Sequence, residues 1–194
     1  MRGQRSPPGL LTTLRGSTTI RETEGAGMNY TVRSARTSDV RAIRRLVDAN
    51  VASGHLLDKA TVTLYEDIQE FLVTERAGDR QVVGCGALHV MWEDLAEIRT
   101  VAVDETCQRE GVGQMVVESL LARARELGVS RVFVLTFAVK FFGRLGFEEI
   151  TGEAASPEVY AELLCSYDEG VAEFLDLDRV KPNTLGNTRM LLRF

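Results

Sequence analysis

Cysteine, proline, tryptophan and histidine are scarce in this 194-residue chain, at three, four, one and two copies respectively. Each scarcity removes a class of explanation. Cys85, Cys107 and Cys165 are odd in number, widely spaced and include no CxxC pair, which argues against a disulfide framework and against a zinc cage. His55 and His89 stand alone in sequence, so no metal ligand and no catalytic histidine is assigned. Aromatic residues make up only 7% and the net charge is -5 without a Lys/Arg stripe. The basic, stacking surface that holds a nucleic acid is therefore missing, and no nucleic-acid partner is expected. No apolar run approaches the roughly 20 residues of a membrane helix, so no membrane partner is expected either. Gly9-Leu10-Leu11 is too short for a signal h-region and no small-residue cleavage site follows, which points to a cytoplasmic protein.

What remains is 44% hydrophobic with both charge signs well represented, the make-up of one globular domain with a substantial core. Residues 1–27 carry Pro7, Pro8 and many Gly, Ser and Thr without hydrophobic period, and read as a disordered tail ahead of a domain over 28–194. Met28 is a candidate start. A short strand over 30–35 is followed by the helix caps Thr37-Ser38-Asp39 and by Val40, Ile43, Leu46 and Val47 at helical spacing. A second short helix is expected over 62–70, with a strand opening at Phe71. Residues 81–92 and 95–103, separated by Glu93-Asp94, read as an antiparallel hairpin. Val112, Met115, Val116, Leu120, Ala124 and Leu127 share one helical face, closed by Gly128 as a C-cap. Residues 131–137 are nearly all apolar, as in a strand buried on both faces. A short helix near 139–145, a turn at Gly146, a helix after Pro157 and a strand over 189–194 complete an α+β fold. The order predicts three layers, α/β/α, with a sheet of mixed direction and helices on both faces.

The sharpest local signal is Gln108-Arg109-Glu110-Gly111-Val112-Gly113, where a strand ends and the amphipathic helix begins. Gly111 and Gly113 lack Cβ atoms, and the unpaired N–H groups of the helix start point with the helix dipole at whatever anion approaches. A diphosphate suits such a place. The glycines alone fit a plain turn equally well, and neither the Gly-Lys-Ser/Thr ending of a nucleotide loop nor GxGxxG spacing is present.

This segment resembles the diphosphate-binding pattern Gln/Arg-x-x-Gly-x-Gly/Ala of the GNAT superfamily of acetyltransferases, matched by Gln108, Gly111 and Gly113. The resemblance extends upstream through Ile98-Arg99-Thr100-Val101-Ala102-Val103-Asp104 and downstream through Phe141-Phe142-Gly143-Arg144-Leu145-Gly146-Phe147-Glu148. It implies a central, mostly antiparallel mixed sheet and acetyl-CoA as co-substrate, with no metal. By the same resemblance, Gln108, Arg109, Glu110, Gly111, Val112, Gly113 and Gln114 hold the diphosphate. Val101, Ala102 and Val103 pair through their backbone with the pantetheine arm, much as an added strand would. Glu97, fourteen residues before Gly111, matches the family's glutamate base; the competing reading is a solvated carboxylate salt-bridged to Arg99 on the same strand face. The family's tyrosine acid is matched by Phe142, so no acid is assigned. Phe142 packs against the pantetheine end or is a core aromatic beside Phe141.

Residues 131–136 with Phe141-Phe142, and 183–189, further resemble the acetyltransferase domain of bacterial N-acetylglutamate synthases. That resemblance implies transfer of acetyl to the α-amine of L-glutamate, with L-glutamine or another small amine as alternatives. A dicarboxylate acceptor requires cationic donors, for which Arg33, Lys59 and Arg99 are candidates, while Asn187 and Thr188 match a substrate-contact segment of the synthases. Gly186 stands where those enzymes have arginine, which leaves the acceptor open. The synthases' arginine-binding kinase-like domain has no room in this chain. Two other readings compete: a non-catalytic acyl-CoA sensor, motivated by Phe142, and a protein or polyamine acetyltransferase, which an acidic groove would favour. A homodimer is common in the family, and the Tyr160, Leu163, Leu164 stripe is either core or subunit interface.

Overall fold

A computed structural model of the chain describes residues 30–52, 56, 59–151, 155–166 and 187–194. The expected tail, His55 and residues 183–186 lie outside these residues. The described elements are β1 (Tyr30–Ser34), α1 (Val40–Ala52), α2 (Thr61–Glu66), β2 (Phe71–Arg76), β3 (Val82–Trp92), β4 (Leu95–Val103), α3 (Val112–Glu126), β5 (Arg131–Thr136), α4 (Val139–Arg144), β6 (Glu148–Glu149), α5 (Pro157–Leu163) and β7 (Thr188–Arg193). The strands form one sheet in the order β1-β2-β3-β4-β5-β7-β6. β4 and β5 are its parallel pair; the other neighbours are antiparallel. This is the α+β, mostly antiparallel mixed sheet that the sequence predicts.

Side-chain alternation along β3 sorts the helices onto two faces. Cys85 and Ala87 pack with Val40, Ile43, Leu46 and Val47 of α1. Leu88 packs with Val116, Val117 and Leu120 of α3 on the opposite face. Gly84 and Gly86 belong to the α3 face, and the helix lies so close there that a Cβ on Gly84 would sit 2.7 Å from Val112 Cγ1, and one on Gly86 2.8 Å from Val116 Cγ1. The N-terminal half of α3 is thereby fixed against the sheet by contacts that admit no larger residue.

Two details differ from the sequence reading. The helix expected over 62–70 ends at Glu66, because Asp67 leaves the helical well (φ -90°, ψ 5°), and a 3-10 turn (Ile68–Glu70) carries the chain into β2. The two-residue β6 pairs with β7; its exposed Glu148 and Glu149 carry no hydrophobic signal. Of the cap candidates Thr37, Ser38 and Asp39, Asp39 accepts the Arg36 N–H on Oδ2 at 2.7 Å and closes the 3-10 turn Thr37–Asp39 that leads into α1. The stripe on α5 divides: Leu163 and Tyr160 pack against Leu95, Phe133 and Leu191, whereas Leu164 is exposed.

Candidate active site

β4 and β5 run side by side only through Leu95↔Arg131, Ala96↔Val132 and Glu97↔Phe133. Beyond Glu97 they diverge, while β4 stays paired with β3 as far as Val103. The gap forms a cavity of about 200 Å³, walled by Ile98 to Val101 on one side and Val134 to Ala138 on the other, with Phe141, Phe142 and Leu56 at its margins. A strand edge with one free ladder side in an apolar cleft is suited to an extended ligand bearing amides.

A bulge in β4 determines which side chains face which helix. Cys85 pairs with Ala102 and Ala87 with Arg99, so Thr100 and Val101 together oppose Gly86. Thr100, a buried β-branched residue, takes φ 57°, a conformation such residues rarely adopt. The extra residue inverts the alternation. Before it, Glu97 and Arg99 share the α1 and α2 face with their cross-strand neighbours His89 and Ala87. After it, Val101 and Val103 turn to the α3 face, where Val101 packs near Val116 and Val103 lies 3.6 Å from a Cβ built on Gly113. Ala102 returns to the α1 side, 1% exposed.

The loop between β4 and α3 is built from two left-handed residues. Arg109 has φ 67° and Gly111, the α3 N-cap, φ 85°. A Cβ on Gly111 would meet nothing within 4 Å, so glycine is required there by backbone conformation rather than by protein crowding. Glu110 is turned away to accept the Tyr30 hydroxyl, which ties the loop to β1. Burial, then the Glu110 hydrogen bond, pushes the Tyr30 phenol well up, so it remains a donor. Val112 is buried with Tyr30, Val83 and Cys107, and only its backbone can serve a ligand. Gln114 donates to Glu118 at 2.8 Å on the outer face of α3. Gln108 and Arg109 are exposed. Phe142 is 4% exposed and meets Phe141 and Phe147 edge-on at 5.0 and 5.3 Å, so it serves both as core aromatic and as cleft margin.

At the apex of the cleft Glu97 is 4% exposed. Arg99, the suggested salt-bridge partner, donates to Glu70 at 2.9 Å and to Asp67 at 3.2 Å. Glu70 also meets His89 Nδ1 at 2.7 Å. Burial raises the Glu70 carboxyl, but the His89 hydrogen bond and the Arg99 charge outweigh it and hold it below the ordinary range. His89, Glu70 and Asp67 are thus neighbours of the apex that the sequence reading left out. Their separation along the chain hides the cluster; cross-strand pairing of His89 with Glu97 is the signal that reveals it.

Of the substrate candidates, Arg99 lines the cavity. Thr188 pairs with the cavity residue Thr136, and Asn187 precedes it at the same end of β7. Lys59 follows the cavity residue Leu56 by three positions, and its carbonyl accepts from Arg44. Arg33 is a correction: it lies on β1 with two strands between it and β4, held by both oxygens of Asp39 at 2.7 and 3.0 Å and by Glu75. Through Asp39 it ties β1 to the 3-10 turn ahead of α1. Cys107 is buried, and burial pushes the Cys85 thiol up to about 12, so neither offers an accessible nucleophile. Among the described residues no group of three His, Cys, Asp or Glu could hold a metal ion.

Residues 36–147 match the Acetyltransferase (GNAT) family. An amino-acid acetyltransferase of Mycobacterium tuberculosis is 59% identical over 162 residues, 83% of this chain and 92% of that protein. An uncharacterized N-acetyltransferase of Chlorobaculum tepidum is 37% identical over 131 residues, 68% of this chain and 83% of its own. Among solved structures, an M. tuberculosis protein in complex with CoA and NLQ superposes with a TM-score of 0.80 at 57% identity, over 84% of this chain and 99% of that one. N-acetylglutamate synthase from Neisseria gonorrhoeae, complexed with coenzyme A and N-acetyl-glutamate, superposes with a TM-score of 0.66 at 23% identity over 84% of this chain. The match spans about a third of that synthase, 35% of its chain, and shows a common fold.

Proposed function

Because the chain belongs to the Acetyltransferase (GNAT) family, we propose that it is an amino-acid N-acetyltransferase moving acetyl from acetyl-CoA to the α-amine of L-glutamate. The observation that carries this reading is the parting of β4 and β5 immediately after Glu97. One continuous strand, turn and helix then supplies a carboxyl at the apex, an open strand edge beyond it and an anion-binding helix start at the far end. In this reading the pantetheine lies along Val101, Ala102 and Val103, and the diphosphate meets the backbone N–H groups of Gly111, Val112 and Gly113.

The amine must lose a proton before it attacks the thioester carbonyl, and Glu97 takes it. The nitrogen then bonds to the carbonyl carbon, the C–S bond breaks, and the thiolate leaves and takes up the second proton that the nitrogen sheds as the amide forms. Thiolates near their pKa of roughly 8.5 leave without a dedicated acid, which accommodates Phe142. Arg99 in the cavity wall, Thr188 paired to the wall residue Thr136, and Asn187 beside it orient the acceptor.

One observation favours L-glutamine as a second reading. The Arg99 charge is already matched by Asp67 and Glu70, so the pocket has little surplus positive charge for a second carboxylate. CoA release from acetyl-CoA, followed across a panel of amino acids, separates the two. The expected result is turnover with glutamate or glutamine that falls about 10²- to 10⁴-fold in Glu97→Gln while acetyl-CoA binding persists. Binding without turnover of any amine would leave a sensor in place of an enzyme.

A further inference from the structure

His89 has no role in the reaction as described, yet its position is specific. It is the direct cross-strand partner of Glu97 on the same face of the sheet, where opposed side chains lie within about 5.5 Å at Cβ. Its Nδ1 is 2.7 Å from Glu70 Oε1, and Glu70 Oε2 accepts from Arg99 at 2.9 Å. Glu70 is held ionised by these neighbours against its burial. Nδ1 also lies 3.2 Å from Arg99 Nη2, which can only donate, but its shorter contact is with the ionised carboxylate, and this favours the tautomer with Nδ1 protonated and the lone pair on Nε2. The imidazole is 22% exposed at its side chain, whereas Glu97 is 4% exposed. A base so enclosed needs a route by which to lose the proton it has gained.

We propose that His89, oriented by Glu70, is the relay that returns Glu97 to its carboxylate form in each catalytic cycle. The inference rests on Glu97 acting as the base. The acceptor ammonium gives one proton to the Glu97 carboxylate; the resulting acid gives it to Nε2 of neutral His89. The imidazolium, stabilised by Glu70, releases it to water at its exposed edge. One proton moves from ammonium to solvent and nothing is oxidised or reduced. Among the described residues, the charged groups around His89 include Glu70 and Asp67 from the turn after α2, and Glu97 and Arg99 from β4. His89 acts through Glu97 and is a positioning residue for the proton, not a substrate contact.

The test compares kcat against pH for wild type, His89→Gln and Glu70→Gln, with acetyl-CoA affinity by calorimetry as the check on folding. His89→Gln is expected to lower kcat roughly 10- to 100-fold, leave acceptor KM within about twofold, and recover partly with added imidazole. Glu70→Gln is expected to move the acidic limb to lower pH, because the imidazolium loses its anion. Unchanged kcat and pH profile in His89→Gln, or a loss that imidazole never restores, would overturn the relay. Nitrogen-15 NMR of the imidazoles in the unliganded chain, with its two histidines distinguished by His55→Gln, gives a readout independent of turnover. Nδ1 protonation and a titration midpoint that shifts in Glu97→Gln are expected. A midpoint indifferent to Glu97→Gln overturns the relay even where wild type acetylates no amine, an outcome that by itself refutes only the proposed function.

Discussion

Replacing Gly84 with alanine probes the link between packing and ligand affinity at one atom. The new Cβ would sit 2.7 Å from Val112 Cγ1 and 3.4 Å from Thr74 Oγ1. Val112 opens α3 and is fully buried; as a β-branched helical residue it has one strongly preferred rotamer, so relief comes from moving the helix start rather than the side chain. Overpacking of this kind costs roughly 1–3 kcal/mol, and alanine recovers about 0.4–1 kcal/mol by restricting the unfolded chain. A net loss of about 1–2 kcal/mol corresponds to a fall in Tm of roughly 2–8 °C for a domain of about 150–250 residues. Displacement of the N–H groups beside Gly111 and Gly113 should also weaken their hold on an anion by about 0.7–1.4 kcal/mol, which is a threefold to tenfold rise in acetyl-CoA KM with kcat preserved. Urea unfolding and steady-state kinetics measure the two effects. The double variant Gly84→Ala/Val112→Ala should restore KM and display a coupling of about 1 kcal/mol. Additive behaviour of the two substitutions, or a single variant with unaltered midpoint and KM, would refute the reasoning.

Tyr30→Phe removes the hydroxyl that ties Glu110 to β1; acetyl-CoA KM should rise roughly tenfold or less, because only part of the roughly 1.5–3 kcal/mol of one hydrogen bond to a charged acceptor reaches the ligand, with kcat unaffected in the same assay. Gly111→Ala forces a Cβ onto φ 85°, and the resulting strain of about 1–2 kcal/mol should lower both Tm and acetyl-CoA affinity. Asp39 is held below the usual carboxylate range by Arg33 hydrogen bonds, against burial and with help from the Arg36 N–H. Its folded pKa is depressed, so its contribution is fully present above the unfolded value of about 3.9 and disappears as pH falls through the lower folded value. Asp39→Asn should therefore lose about 1–2 kcal/mol at pH 7 in urea titrations, and the gap to wild type should close in acid. An undiminished gap at low pH would refute the assignment to ionisation.

Elements with an uninterrupted period were legible in the sequence. Val116, Leu120 and Ala124 at helical spacing define α3, and Val132, Phe133 and Val134 define a strand covered on both faces. The two left-handed positions of the loop were only half visible, since Gly111 announces one and Arg109 conceals the other. The β4 bulge was not legible at all: Thr100 is a good strand residue, and nothing local reveals its φ of 57°. Arg33 was misplaced because an arginine on a strand looks alike whether it faces a ligand or a cap, and Asp39 and Glu75 become its partners only once β1 pairs with β2. The cluster of Glu70, His89 and Arg99 escaped for the same reason. Its members lie 10 to 29 positions apart and meet only because α2 stops at Glu66.

In the proposed reaction, the single extra residue in β4 would give the two substrates separate addresses on one strand. Glu97 and Arg99, upstream of Thr100, face the α1 layer, whereas Val101 and Val103, downstream at what would be the same phase, face α3. On that reading acceptor preference could drift, or be re-engineered at Glu97, Arg99 and their neighbours, while the proposed acetyl-CoA segment of Val101 to Val103 stays untouched. Deleting one residue at the bulge would exchange those addresses, delivering Arg99 to the side of the sheet now covered by α3.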